Sequence, residues 1–148
     1  MLTCFQVAEY FLSLVDEDAG ELISNLKLQK LVYYAQGFHL ALYDRPLFEE
    51  EIQAWKHGPV VPVLYHKYKQ YGADAIPKPV NMDFSVFDDE VRKFLDEVYQ
   101  VYGQYSAWKL RDMTHEEPPW VDAYDSLDLV IHHNALKSYF STLVTADN

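Results

Sequence analysis

The sequence predicts a mainly α fold: a single compact domain of about six to seven helices over residues 1–148, with at most a minor short β element. Apolar residues recur at helical spacing along most of the chain. Hydrophobic residues make up 49% of its 148 residues and aromatic residues 16%, enough to fill one core and too many for a disordered chain. Singly placed glycines and prolines divide the chain into short helical stretches.

The stretch from Ser24 to Tyr43 predicts the helix around which the other elements are arranged. At about 100° per residue it carries two apolar stripes, one broad and one narrow. The broad stripe contains Leu28, Leu31, Val32, Ala35, Phe38 and Leu42, and the narrow one Leu26, Tyr33 and Leu40. Lys27 and Lys30 on one side, and Gln29 and Gln36 on the other, are predicted to separate the stripes. The helix should therefore be wedged between partners.

Capping and turn signals place the other elements of the N-terminal half. Thr3 and Gln6 form a capping-box pattern at the start of a first helix. Alternation from Ile52 to Lys56 predicts a short strand. Gly58 then marks a sharp turn, and because proline suits the first turn of a helix, a third helix is predicted from Pro59 to about Tyr71.

The C-terminal half is predicted to be helical as well. Residues from Asp88 to Gly103 follow the amphipathic template most closely, and the acidic start suits the positive end of the helix dipole. Ser106 can cap a short helix, and two prolines can open another from Trp120 to Tyr124. A short extended piece at Leu129–Ile131 is predicted before a last helix.

Charge and hydropathy limit the partners and the compartment. The net charge is −11, and most of it lies between Met82 and Asp128, whereas residues from Gln53 to Ala73 include no carboxylate. Such a surface favours basic partners and repels phosphates, so we expect no direct nucleic-acid binding. No apolar run reaches the roughly 18 residues of a membrane span, and no charged-then-apolar leader opens the chain. We therefore expect a cytoplasmic protein without a membrane partner.

The sequence predicts no cofactor, no catalytic set and no metal site by motif. The five glycines are scattered singly, so a phosphate-binding loop is not expected. His115-Glu116-Glu117 matches the beginning of the zinc pattern H-E-x-x-H, but Pro119 stands where the second histidine is needed. One alternative is a small hydrolase or metalloprotein in which His39, His57 and His115 converge.

The three tryptophans, Trp55, Trp108 and Trp120, allow two interpretations. In the first they pack in the core, because each carries a large apolar area. In the second, Trp55 and Trp120, which both lie beside proline-containing turns, line an exposed groove into which a partner inserts side chains.

Three segments together resemble a known family. They are SNLKLQKLVYYAQGFHLA (24–41), PLFEEEIQAWKHGPVVPVLYHKY (46–68) and LRDMTHEEPPW (110–120). Their order and spacing resemble the Panacea domain of the SocA-like antitoxins, often labelled phage-associated proteins, over nearly the whole chain. The combination of KLQKLVYYAQGFHLA, AWKHGPVVP and THEEPPW makes the resemblance specific.

The resemblance implies an antitoxin of a bacterial or prophage toxin–antitoxin system, which neutralises a separately encoded toxin by binding it. The matching motif positions, with the neighbouring Lys56 and His57, are the candidate partner-binding residues: Tyr34, Gln36, His39, Trp55, Lys56, His57, Gly58, Pro59, Val60, His115, Pro119 and Trp120. The expected partner is the cognate toxin. The first alternative is an adaptor that delivers a bound toxin to an ATP-dependent protease, and a homo-oligomer is a further option.

Charge and contact are expected to have separate roles in toxin binding. The acidic helices between Met82 and Asp128 should steer a basic toxin towards the domain. A groove near Trp55, His57, Pro59 and Trp120 should then provide the contact.

Overall fold

In the computed structural model, which describes residues 1–145, the chain forms seven α-helices and a small antiparallel sheet. The helices are α1 (Cys4–Ser13), α2 (Asn25–Tyr43), α3 (Pro62–Tyr68), α4 (Asp89–Tyr102), α5 (Ala107–Thr114), α6 (Pro118–Tyr124) and α7 (His133–Thr145). The strands are β1 (Ile52–Trp55), β2 (Gly58–Val60) and β3 (Val130–Ile131), in the order β2-β1-β3. The prediction of a mainly α fold with a minor β element is confirmed.

Helix α2 lies at the centre, in contact with α1, α3, α4, α5, α7 and β2. The side chain of Ser24 caps its start, and Asp44, with φ of 57°, ends it. The prediction that the helix is wedged between partners is confirmed, but the prediction of polar lines is wrong for Gln29, Lys30 and Gln36. All three are buried, because neighbours surround the helix and offer backbone partners to these side chains.

The segment after β1 differs from the prediction of a helix beginning at Pro59. Gly58, Pro59 and Val60 form β2, paired antiparallel with β1, so that Trp55 lies opposite Gly58. The helix starts only at Pro62, with proline in its first turn, and continues as a 3-10 turn to Tyr71. Pairing with β1 provides partners for this backbone that the sequence pattern does not reveal.

Helices α1 and α4 begin as predicted. The Thr3 side chain accepts a hydrogen bond from the Gln6 backbone while the Gln6 side chain accepts one from the Thr3 backbone, which completes the capping box. Asp88 caps α4 by accepting from the Val91 backbone N–H at 2.8 Å. Cys4 is buried, and burial raises the pKa of its thiol to about 12. This cysteine is therefore a core residue.

Helix α7 packs along α2 and closes the core. The ring of Phe140 presses on the α2 backbone, since a Cβ atom at Gly37 would lie 2.2 Å from this ring. The same ring meets Tyr33 edge-on at 5.6 Å and Phe38 at 4.8 Å. Within residues 1–145, none of the helices has both the length and the apolar composition that crossing a bilayer requires.

Candidate functional site

The β1–β2 turn holds the backbone of Gly58 tightly against α2 and α5. Gly58 has φ of +112°, which residues with side chains rarely adopt. A Cβ atom here would lie 2.5 Å from Cε of Lys30 and 2.9 Å from Oγ1 of Thr114. Glycine is therefore required both for the backbone angle and for the close approach of the neighbouring helices.

Lys30 lies beneath this turn and is fully buried. Its Nζ donates a hydrogen bond to the carbonyl oxygen of Pro59 at 3.2 Å. Burial, followed by the positive charge of Arg111, lowers the pKa of Lys30 to about 7. No carboxylate among residues 1–145 forms an ion pair with this amine. Its charge therefore titrates near neutral pH.

Glu117 is a buried carboxyl group at the start of α6. Its two oxygens accept hydrogen bonds from the hydroxyls of Tyr33 and Tyr34, each at 2.8 Å. Burial raises the pKa of Glu117 to about 7, although the two hydrogen bonds oppose the rise. The ring of Tyr34 also stacks on Tyr102 of α4 at 4.0 Å. Lys30 and the group of Tyr33, Tyr34 and Glu117 are separate sets of buried polar side chains around α2, which we together call the polar centre.

Trp120 and His115 fix α6 against the sheet. The indole Nε1 of Trp120 donates to the carbonyl oxygen of Trp55 at 2.8 Å, and the ring is only 9% exposed. His115 stacks on this ring with centroids 4.1 Å apart. Burial and the charge of Arg111 lower the pKa of His115, while a hydrogen bond with the Lys56 backbone opposes the decrease. Trp120 is therefore a core residue, and its ring is not exposed to a partner as the groove interpretation expects.

His39 and Gln36 hold the chain segment that follows α2. Nδ1 of His39 lies 2.7 Å from the carbonyl oxygen of Arg45. The Gln36 amide donates to the Phe48 carbonyl oxygen and accepts from the Leu47 backbone N–H, both at 2.7 Å. These contacts satisfy backbone groups where the chain leaves the helix.

The three histidines proposed to converge lie in different surroundings. His39 packs against Phe94 of α4, His57 against Trp108 of α5, and His115 against Trp120. Within residues 1–145, no three side chains of His, Cys, Asp or Glu lie close enough together to hold a metal ion. The hypothesis of a metal site built from these histidines is wrong.

One exposed cluster lies at the edge of the β1–β2 turn. The guanidinium of Arg111 lies over the Trp108 ring at 4.5 Å, and its Nε donates to Nδ1 of His57 at 3.1 Å. Lys56 and His57 are exposed, and Trp108 is 54% exposed. We call Lys56, His57, Trp108 and Arg111 the Arg111 patch.

An open apolar groove lies on a different face, between α2, α4 and α7. It encloses about 460 Å³ and is lined by Phe38, Leu42, Phe94, Glu97, Val98, Val101, Tyr102, Leu143 and Val144. Leu42 is 48% exposed and Val101 is 49% exposed. We call this surface the α2–α4–α7 groove.

Most of the predicted partner-binding residues belong to the interior. The buried ones are Tyr34, Gln36, His39, Gly58, Pro59, Val60, Pro119 and Trp120, whereas Trp55 and His115 are half-buried and Lys56 and His57 are exposed. Most of the candidate residues thus contribute to the packing of the fold, and the two exposed ones, Lys56 and His57, lie in the β1–β2 turn. Their role in binding a partner remains a prediction.

Sequence reasoning missed five side chains of the polar centre and the Arg111 patch, namely Lys30, Tyr33, Glu117, Trp108 and Arg111. It also predicted none of the residues that line the α2–α4–α7 groove as site residues. Lys30, Tyr33 and Tyr34 are spaced to share one face of α2. A polar face on a helix that is predicted to be buried could therefore have indicated these side chains. The sequence gives no signal that Glu117 is buried, because its hydrogen-bond partners lie more than 80 residues away in the chain.

Comparison with known proteins agrees with the resemblance. Residues 28–121, from α2 to α6, match the family model described as "Antitoxin SocA-like, Panacea domain". The chain is 34% identical over 109 residues to "Antitoxin SocA" of Caulobacter vibrioides (strain NA1000 / CB15N), an alignment that covers 66% of this chain and 58% of that protein. The chain thus spans less than two thirds of the length of this relative. No solved structure gives a significant match. Because the family model covers more than half of the chain, the protein belongs to the SocA-like antitoxin family with a Panacea domain.

Proposed function

We propose that residues 1–148 act as a single Panacea domain that neutralises a separately encoded toxin by direct contact, and that the toxin binds in the α2–α4–α7 groove. Membership of an antitoxin family supports the role. The observation that carries the choice of surface is the exposure of Leu42 and Val101 on either side of an open apolar groove.

The shape and chemistry of the groove suit the insertion of apolar side chains. Contiguous apolar surface that remains open to water is typical of a protein interaction site. Here Phe38 and Leu42 come from α2, and Phe94, Val98 and Val101 from α4. Transfer of apolar area from water into such a groove gives roughly 25 cal/mol per Å², so a few inserted side chains can supply much of the binding energy.

Carboxylates near the groove define the charge of the proposed partner. Glu97 lines the groove itself, and Glu90 lies one turn before Phe94 and close enough to Tyr43 to contribute to the raised pKa of that hydroxyl. We therefore infer that the inserted segment carries basic residues beside its apolar ones. Asp96 is different, because its carboxylate accepts a hydrogen bond from Tyr10 at 2.6 Å and thereby joins α4 to α1.

Growth assays with the adjacent open reading frame test both parts of the proposal. The toxin candidate is induced with the wild-type chain, with the double variant Leu42→Asp/Val101→Asp, or with Val80→Asp as the control. Val80 is 83% exposed and does not line the groove. We expect wild type and Val80→Asp to relieve growth arrest, and the double variant to fail although it is folded and present at the same level.

The outcomes separate the role from the surface. Arrest that the wild-type chain does not relieve would remove the antitoxin role. Relief by the folded double variant would leave the role in place and exclude the groove. Immunoblots of the toxin in the same cells distinguish neutralisation by binding, in which the toxin persists, from delivery to a protease, in which it disappears.

A further inference from the structure

The Arg111 patch is an exposed surface that the proposed function does not use. It is built from the β1–β2 turn and α5, whereas the α2–α4–α7 groove is built from three other helices, and the two share no residue. An interaction at the patch is therefore independent of the groove.

The Arg111 side chain is held in one orientation. Its Nε donates to His57 at 3.1 Å, and its guanidinium plane lies over the Trp108 ring at 4.5 Å. Because the planar fork of donors is already positioned, pairing with a carboxylate costs less conformational entropy than it would for a free side chain. Arginine and tryptophan are also the residues most enriched at the energetic centres of interfaces.

The present anionic partner of Arg111 is easily displaced. Nη1 of Arg111 contacts Oδ1 of the adjacent Asp112 at 3.0 Å, and the Arg111 side chain is 21% exposed while the Asp112 side chain is 57% exposed. An ion pair whose carboxylate is open to water in this way is worth about 1 kcal/mol or less. A carboxylate from another protein can therefore replace Asp112 at small cost.

The patch is locally positive on a chain whose net charge is −11. Three cations act on the imidazole of His57: after burial, the charges of Arg111, Lys56 and Lys30 lower its pKa. Lys30 contributes from below, since it is buried and has no ion-pair partner among residues 1–145. Arg111 and Lys56 thus present positive charge at this surface, although the protein as a whole is acidic.

We propose that the Arg111 patch is a docking site for an acidic segment of a partner protein, in which a carboxylate pairs with Arg111 and a neighbouring apolar side chain covers Trp108. We choose an acidic partner because its negative charge complements the positive charge of Arg111 and Lys56. A nucleic acid would meet the same cations, but its phosphates would also be repelled by the net charge of −11 of the chain. A short protein segment can place its carboxylates on the patch alone.

Titration of the ¹⁵N-labelled full chain tests the proposal. The probe is a capped Gly-Ser peptide that carries several Asp residues and one Phe, and its control has Asn in place of Asp. We expect the Nε–H signals of Arg111 and Trp108 to shift saturably with the acidic peptide only. Arg111→Gln and Trp108→Ala should each weaken binding at least about tenfold, as expected for residues at an energetic centre. Asp112→Asn should strengthen it, and Lys93→Gln on α4 should leave it unchanged.

Several results would overturn the proposal. One is an equal response to the Asn peptide, or unchanged binding by both Trp108→Ala and Asp112→Asn, which alter exposed side chains and avoid the risk that Arg111→Gln unfolds. Another is saturation of the same signals by a single-stranded oligonucleotide at lower concentration than by the acidic peptide, which would assign the patch to nucleic acid.

Discussion

The polar centre and the α2–α4–α7 groove are both built on α2, yet they place side chains in opposite ways. At the polar centre, Lys30 and Glu117 are ionisable groups enclosed by protein. At the groove, Leu42 and Val101 are apolar groups left about half exposed to water. Burying ionisable groups costs free energy, and so does leaving apolar surface exposed to water when no partner is bound. The polar centre thus contributes to the geometry of the fold, whereas the groove is available for the proposed contact with a toxin.

The largest effect is expected where the backbone closes over the polar centre. Gly58→Ala forces a side chain onto φ of +112° and places its Cβ 2.5 Å from Cε of Lys30. Backbone strain and overpacking together should lower the free energy of unfolding by about 4 kcal/mol. Urea denaturation measures the change.

Gly20→Ala is the matched control, because Gly20 also has positive φ, of +80°, but nothing lies within 4 Å of its Cβ position. Gly20→Ala should lower the free energy of unfolding through backbone strain alone, by about 1–2 kcal/mol. Equal losses for the two variants would mean that the turn is not packed tightly against Lys30.

The next effect concerns pH. Lys30 has a folded pKa of about 7, below its ordinary value of 10.5. The unfolded chain therefore binds more protons between these values, so stability rises with pH above 7 and is lost as pH falls through 7. Between pH 7 and 9.5 the gain should be about 3 kcal/mol, and Lys30→Met should abolish it in urea titrations.

Glu117 makes the free energy of unfolding depend on pH in the opposite direction. Its folded pKa of about 7 lies above the ordinary 4.5, so its contribution to stability is complete below pH 4.5 and is lost as pH rises through 7. Glu117→Gln should remove the dependence of stability on pH that this group causes, about 2–3 kcal/mol between pH 4.5 and 7, and leave the change between pH 7 and 9.5 as it is. A wild-type profile that is flat across both windows would show that the two groups do not titrate as buried groups.

The smallest effect is expected at the groove. Leu42→Ala should change the free energy of unfolding by less than about 1 kcal/mol, because the side chain is half exposed. Leu31→Ala, the same truncation in the same helix at a fully buried position, should cost about 3 kcal/mol. Similar losses for the two variants would mean that Leu42 supports the fold and is not held open for a partner.

Much of the fold could be predicted because the information is local. The apolar period of α2 and α4, the capping box of Thr3 and Gln6, and the Asp88 cap depend on residues within a few positions of one another. The class of the fold follows from these stretches, and so does the central place of α2.

The candidate sites were harder to predict because they depend on contacts between distant segments. Whether Pro59 enters a strand or a helix is decided by pairing with β1, and the local sequence is compatible with both. The burial of Trp120 and the exposure of Trp108 follow from how α5 and α6 dock, which the residues next to each tryptophan in the sequence do not determine. Glu117 is recognisable as a buried group only once α2 is in place.

The contact between Phe140 and the backbone of α2 matters for any attempt to move the family region into another protein. The match to the family model ends at residue 121, but α7 covers the face of α2 that carries Gly37. α1 likewise packs on α2 from outside the matched residues. The limits of the family-model match are therefore not the limits of the packed core. A functional cassette moved into another protein would have to carry both flanking helices with it.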